Sequence, residues 1–167
     1  TVVDARLPHG LTNVRAHFRA EPNRIRVDQA VAFNGTTQYT VENCAVALTQ
    51  PPSWHIKGRA QQVRLNEQLA RALPEAGRRV FDHFSPAGII DAEFEVSSDG
   101  LSVIPNVTLH CRELTSSFYR FPYPLEGITG TLKINGDKLT TENLQARANG
   151  KLVDINAEFE QIQRVPI

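Results

Sequence analysis

The chain predicts a mainly β protein, an antiparallel sheet of repeated hairpins curled into a groove or closed as a sandwich, with one short kinked helical insertion. Three observations predict it. Apolar and polar residues alternate with period two through most of the 167 residues. Turn pairs such as Asn34-Gly35, Asn135-Gly136 and Asn149-Gly150 punctuate those runs at hairpin spacing. A hairpin-sized unit also occurs twice. Gly10-Leu11-Thr12-Asn13 and Gly127-Ile128-Thr129-Gly130 each lead through an alternating strand into a turn. The return strands Arg24-Ile25-Arg26-Val27-Asp28-Gln29 and Lys138-Leu139-Thr140-Thr141-Glu142-Asn143 match in character, and each reaches an Asn-Gly pair. The alignment needs a three-residue gap at the turn and a one-residue shift before the Asn-Gly pair. Units of this kind stack into extended sheets whose product is a surface more often than a pocket.

The elements follow in order. Val14, Ala16 and Phe18 take one face of the first strand, with Arg15, His17 and Arg19 opposite. Ile25 and Val27, then Val31 and Phe33, continue the pattern, followed by Tyr39 and Val41, then Val46 and Leu48. Pro51-Pro52 breaks the chain before a short strand from Trp54 to Gly58. Residues 66–84 are helical: Asn66 suits an N-cap, Leu69 and Leu73 recur at i, i+4, and Pro74 fits the first position of a second helix. In that helix Val80, Phe81 and Phe84 recur, and Glu75 stands four residues before Arg79. This apolar side would plug one end of the sheet or cover one face. Ile90, Ala92, Phe94 and Val96 then alternate against Asp91, Glu93 and Glu95, the clearest half-buried strand. Leu101, Val103, Val107, Leu109 and Cys111 keep one parity across Pro105, which marks an edge or bulge. Ile128, Gly130, Leu132 and Ile134 precede the Asn135-Gly136-Asp137 turn, and Val153, Ile155, Ala157 and Phe159 close the series. The chain therefore divides into hairpins over 1–65, the helical insertion over 66–84 and hairpins over 85–167, all in one β-rich domain.

Composition removes several function classes. Eighteen basic and 18 acidic residues give a net charge of zero, well mixed along the chain. Nucleic-acid binding needs a concentrated basic face, so no nucleic-acid partner is expected. No polybasic run addresses an anionic membrane, and no apolar stretch approaches the 18 residues or so of a spanning helix. Methionine is absent, even from position 1, which suggests a processed chain or an excised piece whose parent carries any anchor. Cys44 and Cys111 read as small buried hydrophobes, with a disulfide as the alternative in an oxidising compartment.

No motif specifies a reaction, so no catalytic residue, cofactor or metal is expected. The histidines (His9, His17, His55, His83, His110) lack ligand spacing, and His17 and His110 fall on polar strand faces. Ser97-Ser98-Asp99-Gly100 is turn chemistry rather than a nucleophile elbow. Asp91, Glu93 and Glu95 could pair as acid and base, but a row of carboxylates on a wet strand face needs no catalytic explanation. The aromatic cluster from Phe118 to Leu125 reads as a strand end with an extended X-Pro linker, or else as a platform for a glycan or lipid. Trp54 reads as packed in the core.

The run Phe121-Pro122-Tyr123-Pro124-Leu125, then Gly127 to Leu132, the Asn-Gly-Asp turn, Leu139-Thr140-Thr141-Glu142-Asn143-Leu144 and Ala148-Asn149-Gly150 resembles a segment of AsmA-like envelope proteins and the related TamB-type proteins. Leu65 to Phe94, with Leu73-Pro74, Ser85-Pro86-Ala87-Gly88 and Ile90-Asp91-Ala92-Glu93-Phe94, is similar to them too. The resemblance covers residues 54–160. It implies a periplasmic protein anchored in the inner membrane outside this segment, with a β-groove that binds or conducts phospholipid in outer-membrane biogenesis. On that reading Phe94, Val96, Leu109, Leu132, Ile134, Ile155 and Phe159 contact lipid tails; otherwise they pack a core. The alternative is a structural or adaptor β-sandwich engaging partner proteins through its edges. An enzyme acting on envelope glycans through Asp91, Glu93 and Glu95 would need two of them across a cleft.

Overall fold

The computed structural model describes residues 10–73, 75–118 and 123–160. Strands β1 (Thr12–Glu21), β2 (Arg24–Asn34), β3 (Thr37–Ala47) and β4 (Ser53–Leu65) lead to helices α1 (Glu67–Ala72) and α2 (Glu75–Phe84). Strands β5 (Ala87–Ser98), β6 (Val103–Ser116), β7 (Leu125–Asn135), β8 (Lys138–Ala148), β9 (Lys151–Ile155) and β10 (Glu158–Glu160) follow. All ten strands form one antiparallel sheet in the order β1-β2-β3-β4-β5-β6-β7-β8-β10, with β9 also paired to β8. The strands thus make a single meander, not the two stacked sheets of the sandwich alternative.

Directly opposed residues of antiparallel strands share a face, so the pairing sorts the side chains. One row runs Ala16, Ala30, Val41, Gly58, Phe94, Val107, Ile134, Leu139, Phe159, crossing from β1 to β10. A second runs Ala32, Tyr39, Ala60, Ala92, Leu109, Leu132, Thr141. Between these rows, on the other face, lies Val31, Thr40, Arg59, Glu93, Thr108, Lys133, Thr140, Glu158. One face is therefore apolar and the other polar across the whole sheet.

The apolar face is covered at one end only. The buried cluster comprises Ala60, Val63, Ile90, Cys111, Leu114, Ile128, Leu144 and Ala146, with Leu69 of α1 packed against it. Asn66 caps α1 as expected, its Oδ1 accepting from the Leu69 N–H at 2.9 Å. The C-terminus of α2 is tied to the end of β6. The Phe84 carbonyl accepts from the Ser117 N–H (2.9 Å) and the Ser116 hydroxyl (2.7 Å), and the Phe84 ring stacks on Phe118 at 5.0 Å. The insertion therefore plugs an end of the sheet and leaves most of its face open. Pro74, the Glu75 side chain with its Arg79 pairing, and residues 119–122 of the aromatic cluster lie outside what is described.

Bulges break the simple alternation. Gln62 on β4, Glu113 on β6 and Asn143 on β8 have φ of 57°, 53° and 48°, and each sits at a register shift with a neighbouring strand. Left-handed residues of this kind add a residue to one strand and sharpen the twist. Asp91 secures the first of them by accepting the Gln62 N–H at 2.9 Å, while the Thr37 hydroxyl donates to the Gln62 carbonyl at 3.0 Å. The sequence repeat is itself conformational: Gly10 and Gly127 (65°, 57°) and, three residues on, Asn13 and Gly130 (50°, 122°) all take positive φ. At Gly130 the fit is absolute, because a Cβ there would collide with the Asn143 carbonyl and the Leu144 Cα.

Two expectations are corrected by irregularities of this kind, and the disulfide alternative falls as well. Val31 and Phe33 lie on the polar face, because Asp28-Gln29 form an irregularity that returns Ala30 and Ala32 to the face of Ile25 and Val27. The strand beginning at Trp54 extends to Leu65, since the Gln61-Gln62 bulge hides its continuation. Cys44 and Cys111 are free thiols. They stand on β3 and β6, where three strand spacings alone put at least about 14 Å between them, beyond the roughly 7 Å Cα limit of a disulfide.

Candidate functional site

The seven residues expected to contact lipid all fall on the apolar face, but not in equivalent settings. Phe94, Leu109, Leu132 and Ile155 are half-buried and pack against the cluster. Phe94 also lies over Gly58, where a Cβ would come within 2.9 Å of the ring. Aromatic cover of a strand glycine is a structural task. Val96 (between Ile56 and Pro105), Ile134 (between Val107 and Leu139) and Phe159 (opposite Leu139) stand outside the cluster, in the uncovered part of the sheet. Phe18 and Phe159, near opposite edges, are 68% and 51% exposed, so no second layer seals that region. Trp54, expected in the core, stands half-buried at this open end beside Val46 and Ser98.

The polar face is organised by cross-strand charge pairs. Arg112 and Asp91 form an ion pair, Lys133 Nζ meets Glu142 at 2.7 Å, and Lys138 pairs with Glu158. Glu95 accepts from His55 Nε2 at 3.0 Å and lies 3.6 Å from Lys57 Nζ; the His55 hydrogen bond and then the lysine charge hold its carboxyl below the usual range. Asp91, Glu93 and Glu95 are thus not a cleft pair. Asp91 is engaged by a bulge and an arginine, Glu95 by His55 and Lys57, and Glu93 stands between Arg59 and Thr108. Burial raises the thiols of Cys44 and Cys111, which keeps them protonated and unreactive.

Hollows lie beside β8 and near the β2–β5 end of the sheet. The smaller, about 320 Å³, lies between β8 and the β9–β10 junction around Asn143, Leu144, Asp154 and Ile155. The larger, about 680 Å³, opens over the polar side near the β2–β5 end and was not anticipated from sequence. Its floor is Ala45 and Ala47 on β3, with Arg26 and Arg24 opposite them on β2 and His55 and Ser53 opposite them on β4. The signal was available in Arg24-Ile25-Arg26, where two arginines on one face oppose two alanines, but it shows only once the strand register is known.

The fold and its faces define a class: a single-layer antiparallel sheet with one apolar face largely uncovered and one charge-laddered face. No protein-family model, curated protein or solved structure matches the chain. Among the described residues no group of histidine, cysteine and carboxylate side chains could hold a metal ion, and no helix is long and apolar enough to cross a membrane.

Proposed function

We propose that this chain is a non-enzymatic β-sheet segment that binds or conducts phospholipid, with acyl tails lying along the apolar face. The supporting observation is the apolar row from Ala16 to Phe159, which crosses the sheet and has no layer over its open end. Eight strand spacings of about 4.8 Å make a track of about 38 Å, longer than one acyl tail at about half of a 30 Å bilayer core. Each methylene removed from water contributes about 0.8 kcal/mol, so partial cover retains a tail while leaving it free to slide. The resemblance of residues 54–160 to AsmA-like proteins supports the setting in this proposal: a periplasmic segment of an inner-membrane-anchored parent serving outer-membrane biogenesis.

An adaptor role is the second reading, favoured by β1, every residue of which is exposed and whose outer edge is unpaired among the described residues. Such an edge is a template for strand addition. Organic extraction and mass spectrometry of the purified protein separates the two. Phospholipid at near-stoichiometric amounts, reduced in a Val107→Ser/Ile134→Ser variant that still folds, supports the lipid track. A lipid-free protein that also takes up no acyl probe overturns it in favour of the adaptor.

A further inference from the structure

We infer that the cleft floored by Ala45 and Ala47 is a binding site for a phosphate-bearing ligand. The inference is independent of the lipid-track reading, because the cleft opens over the polar side of the sheet.

The cationic wall is the first argument. Arg24 and Arg26 lie two residues apart on one face of β2, and Arg26 stands directly opposite Arg19 of β1. Like charges in that position destabilise a sheet. Arg19 is neutralised by Asp28 at 3.2 Å, and Glu42, also at the cleft, is engaged by Arg59 at 4.0 Å. Among the described residues neither Arg24 nor Arg26 has a carboxylate partner, although Glu21 is opposed to Arg24. The cleft is lined by Arg24, Arg26, Asp28 and Glu42, and with the two carboxylates taken up by Arg19 and Arg59 the two arginines are its cations without a carboxylate partner.

The space is the second. Alanine at both floor positions leaves a trench between the arginines on β2 and Ser53 and His55 on β4. Those two strands are about 10 Å apart, which places the guanidinium groups and the Ser53 hydroxyl on opposite sides of a guest, the His55 Nε2 being taken up by Glu95. A carboxylate would satisfy one guanidinium fork. A phosphoryl group offers oxygens in several directions and can be held by both arginines and by the far wall together. The volume of about 680 Å³ leaves room for the organic part of a phosphoester. The shared chemistry fits either a soluble phosphomonoester or a lipid headgroup.

The test uses glycerol 3-phosphate as soluble probe, by titration calorimetry on the full chain, and vesicles of phosphatidylcholine with or without phosphatidic acid, by co-sedimentation. Saturable binding of glycerol 3-phosphate assigns a soluble ligand; binding confined to phosphatidic acid vesicles assigns a headgroup. In either case Arg24→Ala/Arg26→Ala weakens binding by roughly tenfold or more, the worth of at least one charge-assisted hydrogen bond, whereas Arg15→Ala does not. Ala45→Ile/Ala47→Ile keeps both charges and fills the trench, and it too abolishes binding while the melting temperature confirms folding. No binding of either probe, or binding unchanged by filling the trench, overturns the assignment.

Discussion

At the scale of single residues, the sheet depends on a few positions where backbone geometry leaves no choice. Gly130, with φ of 122° and no room for a Cβ, is one; Gly127, with φ of 57° and open space around it, is its control. Gly130→Ala is expected to cost about 3 kcal/mol, combining backbone strain with a collision. Gly127→Ala should cost about 1 kcal/mol, the left-handed penalty alone. Urea denaturation of the two variants measures the difference, and equal values would contradict the packing described at Asn143. Glu95 sets a pH dependence. Its carboxyl is held below its ordinary value of 4.5, so its stabilising effect is whole above that value and fades as pH falls through the lower folded-state value. Thermal melts from pH 7 to 3 should show a shallower acid limb for Glu95→Gln than for the native protein.

Individual elements show how far a sequence can be read. Alternation located nearly every strand, and Asn66 with Leu69 placed α1, because burial on one face imposes period two and an exposed helix start needs a cap. The breaks in alternation were not legible. Gln62 and Glu113 adopt left-handed conformations that side chains of their type rarely take, and only their neighbours, such as Asp91 beneath Gln62, hold them there. The irregularity at Asp28-Gln29 moved Val31 and Phe33 to the polar face, and the bulge at Gln62 hid the continuation of β4. The apolar set was recovered as a face, yet its division into packed members such as Leu109 and uncovered ones such as Ile134 depends on where α1 docks. Asn66→Ala should therefore lower stability by about 1 kcal/mol through loss of the cap. Leu69→Ala should cost about 2 kcal/mol, because this side chain joins the insertion to the cluster. Chemical denaturation of both reports whether the insertion and the sheet unfold together.

Over the described residues, the arrangement is one open layer with two unlike sides, and the fold class was readable because a sheet of this kind writes both sides into every strand. The arginine cleft was not, since it is assembled from three strands and depends on small residues at Ala45 and Ala47 rather than on any motif. A single layer also predicts unusual exposure. Hydrogen exchange should be slowest at Ile90, Cys111 and Ile128, in the three strands that meet at the plugged end, and fastest along β1, which is exposed throughout. Uniform protection across the sheet would show instead that a second layer forms in solution.

Every strand from β4 to β8 carries a residue of positive φ: Gln62, Gly88, Glu113, Gly130 and Asn143 in turn. A strand gained together with such a residue would continue the series, while one without it would interrupt it. A genetic duplication of one hairpin would accordingly lengthen the track and repeat its backbone irregularity at the same stroke.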